Sequence, residues 1–404
     1  MSYFARLNLA ILVLSLVTSV VAAEIVLRQV QVPRKIASGW SWNESPRRFL
    51  ANYNNDEPNE LGFRGQPIRY DKDDYVVVLL GDSQVEAATT SPDMMPEKLL
   101  QRHLSVQLKR PVKVFSLAAS GFGQDQQLIA LENYYGKYRA DLVLVWATPD
   151  NDFWENSFPD RSTSGIAGHL KPTYRLVNLE LDGPYYKSDF YYGNSALFQL
   201  AAKTYARFSG MSLEQMILEK WAMKLPASHE VYDHAELNES CAGLISIEQK
   251  EMGEKVYGLT PEARVMLLTN EDYFDSRSHF SPFLLHRSPM DNYLVFLTGK
   301  LYQRINDTAR KNNSKFKVFY PEFTDTAHSE KVLVKCVQNP WEGSKAREVV
   351  KDEAVLLKEV VAADDLILVE LPGGSELVFS KKDGHLSDIG NERTMKNLAP
   401  LLAP

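Results

Sequence analysis

The stretch Tyr75-Val-Val-Val-Leu-Leu-Gly-Asp-Ser-Gln-Val-Glu-Ala87 decides how this chain folds. Its continuous apolar run, rich in β-branched residues and closed by glycine, predicts a buried central strand over residues 76–80. In α/β proteins, ligands and catalytic groups lie at the carboxyl ends of such strands. Ser83, at the turn from this strand into a helix, is therefore a candidate nucleophile. A serine that only caps the helix would show the same pattern, so the assignment depends on finding a base and an oxyanion hole elsewhere.

Strand patterns and helix patterns alternate on both sides of this stretch. Strands separated by helices predict right-handed βαβ units and a parallel sheet in an α/β protein. The predicted strands are 76–80, 112–117, 142–146, 316–320 and 366–371, and the predicted helices are 92–108, 124–138, 291–312 and 388–402. Between about 155 and 290 the pattern becomes irregular and rich in Tyr, Phe, His and Asp, which we interpret as a large insertion, helical around 196–224.

The N-terminus of the chain is strongly apolar. Residues 7–23 carry no charge, and their number is close to the ~20 residues that cross a bilayer. This segment predicts an uncleaved membrane anchor over 1–28 or, alternatively, a cleaved signal peptide. The apolar run resumes after Glu24, which favours the anchor. Residues 29–70 read as a polar, membrane-proximal stalk that ends in Asn59-Glu-Leu-Gly-Phe-Arg-Gly65, so that the main domain covers 71–404.

Composition limits the classes of function. The formal net charge of −7 argues against a nucleic-acid partner, and the chain has neither a Walker-type phosphate loop nor a dinucleotide-binding glycine motif. Cys241 and Cys336 lie far apart, and no cluster of Cys and His has the spacing of a metal site. We therefore expect neither a metal nor a cofactor. In an exported protein the two cysteines could form a disulfide, or they could be unrelated buried thiols.

Three further segments could complete a catalytic site around the serine. The strand predicted at 112–117 runs into Ser116-Leu-Ala-Ala-Ser-Gly-Phe-Gly123, where glycine lets a backbone N–H approach a ligand closely. The strand at 142–146 is followed by Asn151-Asp152, and an asparagine amide is a good oxyanion donor. Near the C-terminus, Asp383-Gly-His385 could supply a base and the group that orients it. Each segment alone also fits an ordinary turn.

Taken together and in this order, the four segments resemble the conserved blocks of the SGNH/GDSL hydrolase family. Gly81-Asp-Ser83 is similar to the first block, residues 116–123 to the second and Asn151-Asp152 to the third. The last block of the family is usually Asp-x-x-His, whereas this chain has Asp383-x-His385. Some membrane-linked polysaccharide acetylation proteins of the superfamily share the shorter spacing.

The resemblance implies a role for each site residue. The catalytic residues that it implies are Ser83 as nucleophile, His385 as base and Asp383 as the group that orients the imidazole. Asp388 or a water molecule stays an alternative for that orienting role. The oxyanion-hole donors that it implies are the N–H groups of Ser83 and Gly121 and the side-chain amide of Asn151.

The resemblance also implies a fold and a reaction, while the apolar N-terminus indicates a cellular location. The fold is a three-layer α/β/α sandwich with a mostly parallel, flavodoxin-like sheet, and the large insertion is not part of the resemblance. The reaction is hydrolysis of acyl esters, acetyl esters above all, on a carbohydrate or lipid through an acyl-Ser83 intermediate. An O-acetyltransferase for a surface polysaccharide and a non-catalytic carbohydrate-binding or assembly component stay as alternatives. The expected partners are an acylated small molecule or polysaccharide and a membrane. We expect the chain to be membrane-anchored and extracytoplasmic (periplasmic or extracellular), or secreted if the N-terminal segment is cleaved.

Overall fold

The computed structural model of the chain describes residues 3–30, 58–157, 171–185, 196–210, 221, 223–226, 282, 289–323, 334–335, 347–348, 353–371 and 385–403. The chain divides into two compact units. The first unit comprises 1–41, 159–172 and 185–224, and the second comprises 42–158, 173–184 and 225–404. Cys241, Cys336 and Asp383 lie outside the described residues.

A five-stranded parallel sheet forms the centre of the second unit, with the strand order β2-β1-β3-β6-β9. Its strands are β1 (Tyr75–Gly81), β2 (Val112–Ala118), β3 (Leu142–Trp146), β6 (Lys315–Phe323) and β9 (Leu366–Leu371). Two small two-stranded sheets pair β4 (Thr173–Val177) with β5 (Glu180–Tyr185) and β7 (Val334–Lys335) with β8 (Arg347–Glu348). The strand order reverses between β1 and β3, which is the switch point where doubly wound sheets bind ligands.

Helices cover both faces of the five-stranded sheet, so the fold is a three-layer α/β/α sandwich, as predicted. The helices of the second unit are α2 (Ser83–Glu86), α3 (Pro96–Leu108), α4 (Gln124–Tyr135), α5 (Pro149–Glu155), α7 (Pro289–Lys311), α8 (Glu353–Val360) and α9 (Asp388–Leu402). Helices α3 and α9 pack together on one face, while α4, α5, α7 and α8 pack on the other. Alternate residues of each strand therefore enter two separate apolar layers, and Val77 and Leu79 face α3 and α9.

The first unit contains α1 (Tyr3–Val30) and α6 (Ala196–Ser209). The Glu24 carboxylate of α1 accepts a hydrogen bond of 2.9 Å from the N–H of Leu197, at the start of α6. In the described parts of the chain, no helix has the length and apolar character that crossing a membrane requires.

Several predicted boundaries need correction. The predicted helix 92–108 is a 3₁₀ turn, Pro92–Met94, followed by α3, because Pro96 has no N–H and is favoured at a helix start. Part of the predicted stalk packs within the second unit. Phe63, Arg64 and Ile68, which belong to the predicted stalk, are buried at 5%, 1% and 5% exposure in the second unit.

Candidate active site

Ser83 begins α2 directly after β1. Gly81 makes this sharp turn possible, because a Cβ at that position would lie only 2.3 Å from Cγ2 of Val85. Asp82 caps the helix, and its Oδ1 accepts a hydrogen bond of 2.9 Å from the N–H of Gln84. The N–H of Ser83 is the first of the helix and has no partner within it. This N–H is therefore placed to act as an oxyanion donor.

His385 lies against the nucleophile. Its Nε2 is 2.8 Å from Oγ of Ser83, within hydrogen-bond distance for a base and the hydroxyl that it deprotonates. The loop that carries the histidine is tied to α2, because the N–H of Leu386 donates to Oε1 of Gln84 at 3.1 Å. Asp388 is exposed as the first residue of α9, where a carboxylate stabilises the helix N-terminus. The orienting role of Asp383 stays a prediction.

Asn151 reaches the site from α5, a helix that the sequence did not predict. Its Nδ2 donates to Oδ2 of Asp82 at 3.3 Å. Strand β3, which leads into α5, pairs with β1 in parallel. The structure therefore brings the asparagine amide beside the residue that precedes the nucleophile.

Gly121 occupies a turn that follows β2, the other neighbour of β1. The carbonyl of Ala119 accepts a hydrogen bond of 3.0 Å from the N–H of Phe122, and Gly121 has a φ of +70°. This combination is typical of a type II turn, whose third position requires the positive φ that glycine adopts without strain. The N–H of Ser120, in the same turn, donates to Oε2 of Glu86 at 2.5 Å, which links the turn to α2.

Two carboxyl groups lie behind these residues and were missed by the sequence reasoning. Asp82 and Asp152 are 0% and 1% exposed, whereas Ser83, Asn151 and His385 are half-buried. Burial raises the pKa of Asp82. Burial, together with the neighbouring Asp82, raises the pKa of Asp152 well above its usual range. Oδ2 of Asp152 accepts from the N–H of Thr148 at 2.8 Å and lies 3.5 Å from the hydroxyl of Tyr302.

The two buried carboxyls differ in what surrounds them. Both oxygens of Asp82 accept hydrogen bonds from N–H donors, which lowers the pKa of a carboxyl and so opposes the effect of burial. For Asp152, the neighbouring Asp82 adds to the effect of burial and raises the pKa further. The sequence did contain a sign of these two carboxyls. Asp82 directly precedes Ser83 in Gly-Asp-Ser, and Asp152 directly follows Asn151.

The arrangement brings together groups of the kind that acyl transfer uses. A hydroxyl and an imidazole are in contact, and three donor groups come from the ends of three adjacent parallel strands. In the described parts of the chain, no group of His, Cys, Asp and Glu could hold a metal ion.

Most of the aromatic stretch in the predicted insertion lies outside the described residues. Of its described members, Tyr185 packs edge to face against Trp221 with a ring separation of 5.6 Å, and Trp221 is 4% exposed. These two rings therefore pack against each other within the first unit.

Comparison with known proteins adds little to this geometry. No family model matches the sequence, and no curated protein matches it at a significant level. Among solved structures, the chain is similar to the lipase Lip_vut3 from a goat rumen metagenome. That similarity covers 81% of this chain and 98% of the other at 10% identity, with a TM-score of 0.34. A TM-score this low supports no conclusion about activity.

Proposed function

We propose that this chain is a serine esterase of the SGNH type that hydrolyses acyl esters, acetyl esters above all, on a carbohydrate or lipid. The observation that supports this most directly is the 2.8 Å separation between Nε2 of His385 and Oγ of Ser83. The two residues are 302 positions apart in sequence, and they meet at the switch point of the sheet. A serine that only capped a helix would need no such partner.

In the proposed mechanism, His385 takes the hydroxyl proton as Oγ of Ser83 attacks the ester carbonyl carbon. The bond to the leaving alcohol then breaks, and the imidazolium returns the proton to that alcohol. The resulting acyl-Ser83 is attacked by water, which His385 deprotonates in turn. Release of the carboxylic acid regenerates the serine hydroxyl.

The negative charge of each tetrahedral intermediate would be held by backbone N–H groups of Ser83 and Gly121 and by the Asn151 amide. Such donors act strongly because they are already oriented before the reaction, and loss of one typically costs ~10²–10³ in turnover. The contact between Asn151 and Asp82 supports this role, since it restrains the amide.

Labelling of the full-length protein with a fluorophosphonate probe tests the proposal, because the probe forms a bond only with an activated serine. We expect the wild type to be labelled and Ser83→Ala to be unlabelled, with His385→Ala labelled at least ~10²-fold more slowly. Ser91→Ala is the matched control, since Ser91 is exposed and makes no capping hydrogen bond. A folded wild type that resists the probe, or a Ser83→Ala variant that still reacts, contradicts the proposal.

A sugar hydroxyl could take the place of water in the second step, which would make the chain an O-acetyltransferase. Incubation with an acetyl donor, with and without an oligosaccharide acceptor, separates the two reactions. The esterase proposal requires acetate release at the same rate in both. Acetylated oligosaccharide as the main product would overturn it in favour of the transferase.

We also propose that residues 1–28 direct the chain out of the cytoplasm, as an anchor or as a cleaved signal. Residues 7–23 carry no charge, and apolar side chains of α1 such as Leu12, Leu14 and Leu16 are at least 65% exposed. Cell fractionation and N-terminal sequencing of the mature protein test this. A full-length chain recovered with the cytoplasmic fraction would contradict it.

A further inference from the structure

Residues 59–64, the end of the predicted stalk, pack beside the candidate active site. Oδ1 of Asn59 accepts hydrogen bonds from the N–H groups of Leu61 and Phe63 at 3.0 and 3.1 Å. Its Nδ2 donates to the carbonyl of Ser116 in β2 at 3.2 Å. These contacts hold residues 59–64 in one conformation against the strand that leads to Gly121.

Arg64 binds the end of the nucleophile helix. Its guanidinium donates to the carbonyls of Glu86 at 2.8 Å and Thr90 at 2.7 Å, and also to the carbonyl of Ala87. A buried cation is costly unless it is fully hydrogen-bonded, and the side chain of Arg64 is among the largest that are fully buried. A helix of one turn has little stability of its own, and α2 ends at Ala87 in the left-handed region with a φ of 47°. Arg64 therefore stabilises a turn that would not hold its shape alone.

Glu86 connects this helix to the turn of Gly121. It is 2% exposed, and its Oε2 accepts from the N–H of Ser120 at 2.5 Å. The ring of Phe63 also packs edge to face against Phe122, at the other end of the same turn. Phe63 and Arg64 thus contact both α2, which carries Ser83, and the turn that contains Gly121.

We propose that Arg64 and Glu86 are positioning residues that hold the Ser83 helix and the Gly121 turn in fixed register. This inference rests on the proposed esterase function. Neither residue touches the reacting atoms. Their effect comes through geometry, since a displacement of about 1 Å can cost ~10²-fold in rate.

The test compares turnover of a 4-nitrophenyl ester by full-length variants at Glu86. We expect Glu86→Asp to lower kcat by ~10-fold or more with KM little changed, because its carboxylate is one methylene shorter and no longer reaches the Ser120 N–H. Glu86→Gln should stay within about threefold of wild type, because its amide oxygen still accepts that hydrogen bond. A positioning role predicts a loss in kcat with little change in KM, since transition-state interactions appear in kcat and not in KM. Wild-type kcat in a folded Glu86→Asp variant would overturn the inference.

Arg64→Met and Arg139→Met form a matched pair for the guanidinium. Arg139 also donates to three backbone carbonyls, those of Asp71, Lys72 and Asp74. These contacts lie at the amino ends of β1 and β3, whereas Ser83 follows the carboxyl end of β1. We expect Arg64→Met to lower kcat by ~10–100-fold and Arg139→Met to leave it within about twofold, both assayed well below their melting temperatures. Equal losses in the two variants would mean a general loss of stability and would overturn the inference.

Ser83→Ala, assayed in parallel, distinguishes failure of this inference from failure of the proposed esterase function. If Ser83→Ala retains activity, the proposed esterase function fails. If it is inactive while Glu86→Asp and Arg64→Met keep the wild-type kcat, only the positioning role fails.

Discussion

Replacement of Asp82 by asparagine tests whether the contact with Asn151 positions the proposed oxyanion donor. In the wild type, Oδ1 of Asp82 accepts from the N–H of Gln84 and Oδ2 accepts from Nδ2 of Asn151. An asparagine at position 82 can keep the first bond, so that α2 stays capped. Its own amide nitrogen then faces the amide nitrogen of Asn151, and two donors cannot pair. The carboxamide of Asn151 must therefore turn away from its wild-type position.

The expected loss follows from the contact that is broken. A hydrogen bond to a charged acceptor is worth about 1.5–3 kcal/mol, and each ~1.4 kcal/mol of transition-state energy is tenfold in rate. Asp82→Asn should therefore lower kcat by ~10–100-fold. Because burial raises the pKa of Asp82, the assay is run at mildly alkaline pH, which favours the ionised form of the wild-type group. Ester hydrolysis followed by steady-state kinetics gives kcat and KM separately.

Asp152→Asn is the matched control. It also replaces a buried aspartate by its amide, and the amide oxygen can still accept the hydrogen bond from the N–H of Thr148. We expect a change in kcat of less than about threefold. The double variant of Asp82→Asn with Asn151→Ala should be no slower than Asn151→Ala alone, since groups that act through one contact are not additive. An Asp82→Asn variant within twofold of wild type, or losses that multiply in the double variant, would contradict this prediction.

Three other changes have defined outcomes. Gln84→Ala removes the acceptor of the Leu386 N–H and should lower kcat/KM by ~2–10-fold, as expected for one hydrogen bond. An unchanged kcat/KM would show that the loop of His385 does not depend on this hydrogen bond. Burial raises the pKa of Glu97 from 4.5 to about 7, so the folded state binds its proton more tightly than the unfolded state. The free energy of unfolding should therefore fall by about 3 kcal/mol as pH rises between those values, and denaturation of Glu97→Gln should lack this fall. Gly81→Ala should lower the unfolding free energy by about 1–3 kcal/mol through its clash with Val85, and addition of Val85→Ala should recover part of the loss in urea denaturation.

Local sequence patterns explain which helices and strands were predicted correctly and which were missed. Strands β3 and β9 and helix α9 were predicted at their observed ends, because each is a clear apolar pattern bounded by turn residues. Helix α5 was missed, because Pro-Asp-Asn-Asp reads locally as a turn even though proline is also favoured at a helix start.

The predicted stalk shows the limit of local reasoning most clearly. Arginine is rarely buried in proteins, so Arg64 in a polar segment indicates an exposed position. The structure buries it because three backbone carbonyls from a distant part of the chain satisfy its guanidinium. No pattern within residues 58–70 records those partners.

Local patterns in the amino-acid sequence predict the alternation of strands and helices and the chemical groups at the strand ends, because periodicity and residue chemistry are local properties. The 2.8 Å contact between Ser83 and His385 depends on the folded chain. So do the hydrogen bond from Asn151 to Asp82 and the hydrogen bond from Arg64 to the carbonyl of Glu86 at the end of α2. These are contacts between segments far apart in the chain, and their geometry depends on how the sheet and its helices pack together.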